Sequence, residues 1–143
     1  MILVLALFIT FGLYAMVNRE QMHVVKTIML TETATSTGTV TSAAVDTQGF
    51  DALTVNLHYG ATAPAPTSYK LTECDTVGGT YTDVAAGDII DDGGTHAVST
   101  TRKIAYIGGK RFVKAVVVQS ASTILGISAT LGYPSVAPTS NPA

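Results

Sequence analysis

Gly49 and Gly60 bracket the stretch FDALTVNLHY. Phe50, Leu53, Val55, Leu57 and Tyr59 are apolar there and, from Leu53 on, alternate with Thr54, Asn56 and His58. Successive strand side chains point to opposite faces, so a period of two describes a strand with one buried and one polar face. Such a strand is stable only beside other strands or against a second apolar layer, and the rest of the chain has to supply them.

Further strand candidates follow the same logic. His23–Leu30, Tyr69–Cys74, Thr80–Val84, His96–Thr100, Lys103–Ile107, Arg111–Gln119 and Thr123–Tyr133 are short, rich in β-branched or aromatic residues, and separated by turn residues. Ala61–Pro66 reads as a loop, because its prolines remove ladder donors. Asp75–Gly79 is a turn, and Ala85–Asp92 leads into a Gly93-Gly94 turn. Gly108-Gly109 predicts a tight hairpin, Ser120–Ser122 predicts a turn, and Gly126 a bend in the last strand. Thr31–Ala44 is Thr- and Ser-rich and suits either an extended edge segment or a linker. Nothing after residue 21 has a helical period. The expected fold is therefore all-β, an antiparallel, jelly-roll-like β-sandwich over residues 22–133, followed by a Pro-containing tail over 134–143.

The first 21 residues obey a different rule. Met1–Val17 carries no charged side chain, and Asn18, Arg19, Glu20 and Gln21 end the run. A spanning helix needs about 20 apolar residues, with about 17 the lower limit. A hydrophobic helical segment is expected here, and its meaning has three readings. Tyr14 and Arg19 suit the interfaces of a membrane anchor. A signal peptide fits less well, since no Lys or Arg precedes the run and no A-x-A site follows it. Met22 as the true start would make the run an artefact of start-codon choice.

Charge excludes one class of partner. Charged residues make up 13% of the chain, against about 25% in globular proteins. The net charge is -2 and basic residues adjoin only in Arg102-Lys103 and Lys110-Arg111. Nucleic acid is not an expected partner, because counterion release would contribute little. Cys74 is the single cysteine, so no intramolecular disulfide can form.

Catalytic constellations do not emerge. His23, His58 and His96 stand in neither a G-x-S-x-G elbow nor an H-E-x-x-H helix. His58 falls on the polar face of its strand. Cys74 ends a strand and reads as a small half-buried residue, although Lys70 lies on the same face. Asp88, Asp91 and Asp92 are the best metal candidates, but they lack calcium-loop spacing, and an Asp-Gly turn accounts for them. Gly108-Gly109-Lys110-Arg111 lacks the rest of a phosphate-binding loop. The chain is expected to be non-enzymatic, with no cofactor and no metal.

Four segments occur in a telling order. They are Val45-Asp46-Thr47-Gln48-Gly49-Phe50-Asp51; Tyr69-Lys70-Leu71-Thr72-Glu73-Cys74-Asp75 with Thr80-Tyr81-Thr82-Asp83-Val84; Tyr106-Ile107-Gly108-Gly109-Lys110-Arg111-Phe112-Val113-Lys114; and Leu131-Gly132-Tyr133-Pro134 followed by Pro138. The series resembles a group of small tailed-phage and prophage head-associated structural proteins. Cys74 stands where that group often has Ser, and Met1–Val17 is outside its pattern.

The resemblance implies a virion protein, a capsid decoration or cement subunit on the outer surface of a phage head. Its implied partners are the major capsid protein and further copies of itself, a trimer being the geometric expectation. Lys110 and Arg111 are expected to reach carboxylates on a neighbour. Thr35, Thr37 and Thr39 are expected contact residues in a Thr-rich arm over Thr31–Ala44 that, with the Pro134–Ala143 tail, orders on neighbouring subunits. The alternatives are a membrane-anchored virion protein, held through Met1–Val17, and a spike or receptor-binding β module.

Overall fold

The computed structural model describes residues 24–61, 66–93, 97 and 99–136, with the side chains of 32–36 and 123 outside that description. The hydrophobic segment expected over 1–21 lies outside the described residues, as does most of the tail. No helix among the described residues is long and apolar enough to cross a membrane. The fold is nearly all β: a single 3₁₀ turn, Ala86–Asp88, is the helical element among the described residues.

Two long strands organise it. Strand β8, Phe112–Pro134, is paired with β1, Val25–Thr41, along most of its length. The first half of β8 also pairs with β4, Ser68–Cys74, and with the short β2, Val45–Asp46. Its second half pairs with β3, Phe50–Tyr59. Beyond β4 lies β5, Thr82–Asp83; beyond β3 lie β7, Thr101–Tyr106, and β6, Ile89–Asp91. The order is β5-β4-β8-β3-β7-β6, with β1 and β2 on the other edge of β8, and every pairing is antiparallel. The result is two antiparallel sheets that share β8 and β1.

Alternation explains the core. Leu53, Val55, Leu57 and Tyr59 of β3 are buried, as the period of two predicts, and they meet Leu125, Ile127, Ala129 and Leu131 of β8 and Ile104 and Tyr106 of β7. Val113, Ala115 and Val117 of β8 with Leu71 of β4 complete the same cluster from the other sheet. One apolar core therefore lies between the two sheets. Gln119 continues the inward row and is 4% exposed, yet neither side-chain amide atom has a hydrogen-bond partner.

Three local expectations are corrected. Ser120–Ser122 does not turn the chain; it lies within β8, and β1 shifts register opposite, between Ser36 and Gly38. The Gly108-Gly109 segment is not a hairpin. β7 pairs with β3 and β6, whereas the start of β8 pairs with β4 and β2, so the segment is a corner between sheets. Its glycine is required sterically: a Cβ on Gly108 would sit 2.5 Å from the Tyr106 ring. In His96–Thr100, the described residues 97, 99 and 100 are outside any strand, and Ser99 adopts φ 56°, which breaks an extended run.

Candidate functional site

The four segments singled out in the sequence come together at one end of the domain. Arg111 donates from Nε and Nη2 to the two carboxylate oxygens of Asp46, at 2.9 and 2.7 Å. Lys110 Nζ donates to Asp75 Oδ2 at 2.5 Å. The Tyr106 hydroxyl donates to Glu73 Oε2 at 2.6 Å and accepts the Lys110 backbone N–H at 2.8 Å. Backbone bonds add Thr47 N to Arg111 O and Ser135 N to Gly49 O. Burial, together with the Glu73 carboxylate that accepts its proton, pushes the Tyr106 hydroxyl up to about 12. The bidentate Arg111 bond holds Asp46 below its ordinary value, against the opposing effect of burial. These groups lock loops together, and their polar atoms already have partners.

Lys110 and Arg111, expected to reach carboxylates on a neighbour, have carboxylate partners within the chain. Both remain part-exposed, but the carboxylates they meet are Asp75 and Asp46 of the same chain. The sequence could not show this, because Asp46 and Arg111 are brought together only when β2 pairs with the start of β8.

A second polar cluster spans the two sheets. Arg102, 8% exposed, donates from Nε to Asp91 Oδ1 at 3.0 Å and from Nη2 to Asp91 Oδ2 at 2.7 Å. The same Nη2 donates to the Tyr69 hydroxyl at 2.6 Å, and that hydroxyl donates to Asp91 Oδ2 at 2.6 Å. The guanidinium also lies 4.5 Å from the Tyr69 ring centroid. Burial works to raise the Asp91 carboxyl, but the bonds from Arg102, Tyr69 and the Gly93 N–H outweigh it and lower the group to about 2. A crevice of about 260 Å³ opens beside this cluster between β4 and β6, floored by Leu71 and Ile104.

The acidic residues singled out in the sequence have partners within the chain. Asp91 is turned to Arg102, Asp92 Oδ2 accepts the Lys103 backbone N–H at 3.0 Å, and Gly93, at φ 67°, donates its N–H to Asp91 Oδ1. Asp88, Asp91 and Asp92 form no metal-ligand group, and no three His, Cys, Asp or Glu side chains gather as one among the described residues. An Asp-Gly turn closed by an ion pair accounts for the stretch.

The other candidates are separated. His58 is exposed on the outer face of β3 and bonds across strands to Thr101 Oγ1 at 3.1 Å and Ser128 Oγ at 2.8 Å. Asn56 Nδ2 donates to Thr130 Oγ1 at 3.2 Å on the same face. Cys74 is half-buried with Sγ 3.9 Å from Thr76 Oγ1, while Lys70 is paired with Asp83 at 2.7 Å. Thr35, Thr37 and Thr39 all lie in β1, opposite β8, and Thr37 and Thr39 are exposed. The Thr-rich segment is thus a strand of this chain's own sheet as far as Thr41, which matches the extended edge segment and not the linker.

The fold and this arrangement define an antiparallel β domain whose ionisable side chains are largely spent on holding strands and loops together. Neither a family model, nor a curated protein, nor a solved structure matches the chain.

Proposed function

We propose that this protein is a non-enzymatic structural subunit of a virus particle, a decoration or cement protein of a phage head, built on a jelly-roll-like β-sandwich. The observation that carries the reading is the convergence of the four ordered segments in one bonded collar at one end of the domain. Segments that resemble those of head-associated proteins work here as a unit, and the unit braces a scaffold. The sandwich reading draws support from the single core between two sheets.

Such a protein acts through area. About 800 Å² per partner is enough for a specific contact, and repetition over many copies multiplies it. The surface suited to this is the outer edge of β1 with the neighbouring polar sheet face. Among the described residues β8 is the strand that pairs with β1, and Thr37 and Thr39 of β1 are exposed. A long edge strand of this kind is a surface that a neighbouring subunit can extend by strand addition. The partners in this reading are the major capsid protein and further copies of the chain.

The test is mass spectrometry of purified particles, giving copy number and mature N-terminus from one sample. A copy number in simple ratio to the coat subunits supports decoration. Absence from the particles refutes it.

A further inference from the structure

Five large apolar side chains are exposed at one end of the domain, and strand register places them there together. Val25 lies opposite Gly132, so Val24 and Tyr133 end neighbouring strands. Leu53 lies opposite both Leu131 and Tyr106, so Ile107 is one step further toward the same end. The Ser135–Gly49 backbone bond brings Val136 there, and the Lys110–Asp75 pair brings the turn that carries Val77. Their exposures are 41% for Val24, 62% for Val77, 57% for Ile107, 76% for Tyr133 and 78% for Val136. Among the described residues two more large apolar side chains have comparable exposure: Met29, opposite Ser128 and further along β1, and Ile90, opposite Ala105, itself two residues from Ile107.

Two further observations point to what covers this end. Tyr133 adopts φ 52° immediately before Pro134, a backbone conformation that side chains other than glycine rarely take and that a following proline opposes. A strained residue that leaves its aromatic ring in solvent is an outlier that asks for a partner. The chain also enters the domain here. Val24 is preceded by residues 18–23, NREQMH, and these by the uncharged run Met1–Val17.

We propose that this end lies against a lipid bilayer into which Met1–Val17 inserts. The length of the run reaches the lower limit for crossing the hydrocarbon core, about 17 residues. The six residues between it and Val24, five of them polar, span at most about 20 Å when extended, enough to pass the headgroup layer and short enough to keep the domain on the surface. Tyr133 then sits where aromatic rings concentrate at membrane interfaces. The ion pairs Lys110–Asp75 and Arg111–Asp46 neutralise their own charges at headgroup depth. This placement goes beyond the particle reading and uses a different surface from the β1 edge.

The chain has no Trp, so a single introduced one is a local reporter. Full-length Tyr133→Trp is compared with full-length Ser120→Trp, whose site is exposed at the opposite end, where β8 passes between the sheets. Both are mixed with phosphatidylcholine vesicles carrying brominated acyl chains and floated on a density gradient. The full chain is expected to float; emission at 133 shifts to the blue and is quenched, and emission at 120 does neither. A chain starting at Met22 is expected to stay at the bottom. Failure of the full chain to float, equal responses at 133 and 120, or equal flotation of the Met22 chain overturns the proposal. A blue-shifted Trp at 133 in lipid-free particles also overturns it, since a protein surface then covers this end. Presence of the chain in particles without flotation leaves the particle role standing and removes only the lipid contact.

Discussion

Replacing Arg102 with methionine removes the cation paired with Asp91 across β6 and β7 while keeping an apolar side chain of similar length. The bonds lost include two to the carboxylate and one to the Tyr69 hydroxyl. Asp91, 29% exposed at its side chain, is left part-buried without its cation. The magnitude follows from the Asp91 carboxyl, lowered from 3.8 to about 2. That difference corresponds to roughly 2 kcal/mol. Removing one partner of a fully buried pair costs about 3–5 kcal/mol. Because Asp91 keeps some solvent, a loss of about 2–3 kcal/mol at pH 7 is expected for Arg102→Met. The sign with pH is definite. The folded-state value is depressed, so this stabilisation is complete above pH 4 and disappears as pH falls from about 4 to about 2. The assay is urea unfolding followed by circular dichroism at pH 7, 4 and 2.5, on wild type, Arg102→Met, Asp91→Asn and the double variant. The difference between wild type and Arg102→Met should shrink on acidification, and Asp91→Asn should recover part of the loss in the Arg102→Met background. A variant within about 0.5 kcal/mol of wild type at pH 7, or a difference that does not change with pH, refutes this account of the cluster.

Three other outcomes follow from particular contacts. Gly108→Ala pushes a Cβ into the Tyr106 ring, a buried residue that anchors the collar; a loss of about 1–3 kcal/mol is expected in thermal unfolding, and a variant as stable as wild type would show that the corner relaxes freely. Gln119→Met replaces a buried amide whose polar atoms have no partner, so a gain of about 1 kcal/mol is expected from the urea midpoint; destabilisation would mean that the amide is satisfied after all. Lys110→Ala breaks an ion pair exposed on both sides, 47% and 65%, and should leave the melting temperature unchanged in physiological salt; a clear drop would assign the pair a structural role beyond its charge.

Much of the fold was legible because its signals are local. The alternation in Phe50–Tyr59 needs no partner to be read, and the structure buries Leu53, Val55, Leu57 and Tyr59 as that period requires. The strand Ser68–Cys74 and the Asp91–Gly93 turn were likewise written in short-range chemistry. The misreadings share one cause. Ser120–Ser122 has turn-like composition, yet β8 runs through it, and Thr31–Ala44, open between edge segment and linker, becomes strand as far as Thr41, because β1 and β8 satisfy each other's backbone. Gly108-Gly109 has hairpin composition, yet the flanking strands go to different sheets.

The candidate site divides in the same way. Sequence order alone determined which segments deserved notice, the absence of a catalytic motif, and the uncharged run at Met1–Val17. Only the tertiary structure decided what those segments do. Asp46 and Arg111 are 65 residues apart, and Tyr69 and Arg102 are 33 apart. Polar pairs of that separation leave no periodic trace, since their energy depends on distance and burial that exist only once β8 has gathered its neighbours. The exposed end formed by Val24, Val77, Ile107, Tyr133 and Val136 is of the same kind. Each residue is unremarkable in its own segment, and they become a surface only because strand register ends five segments together.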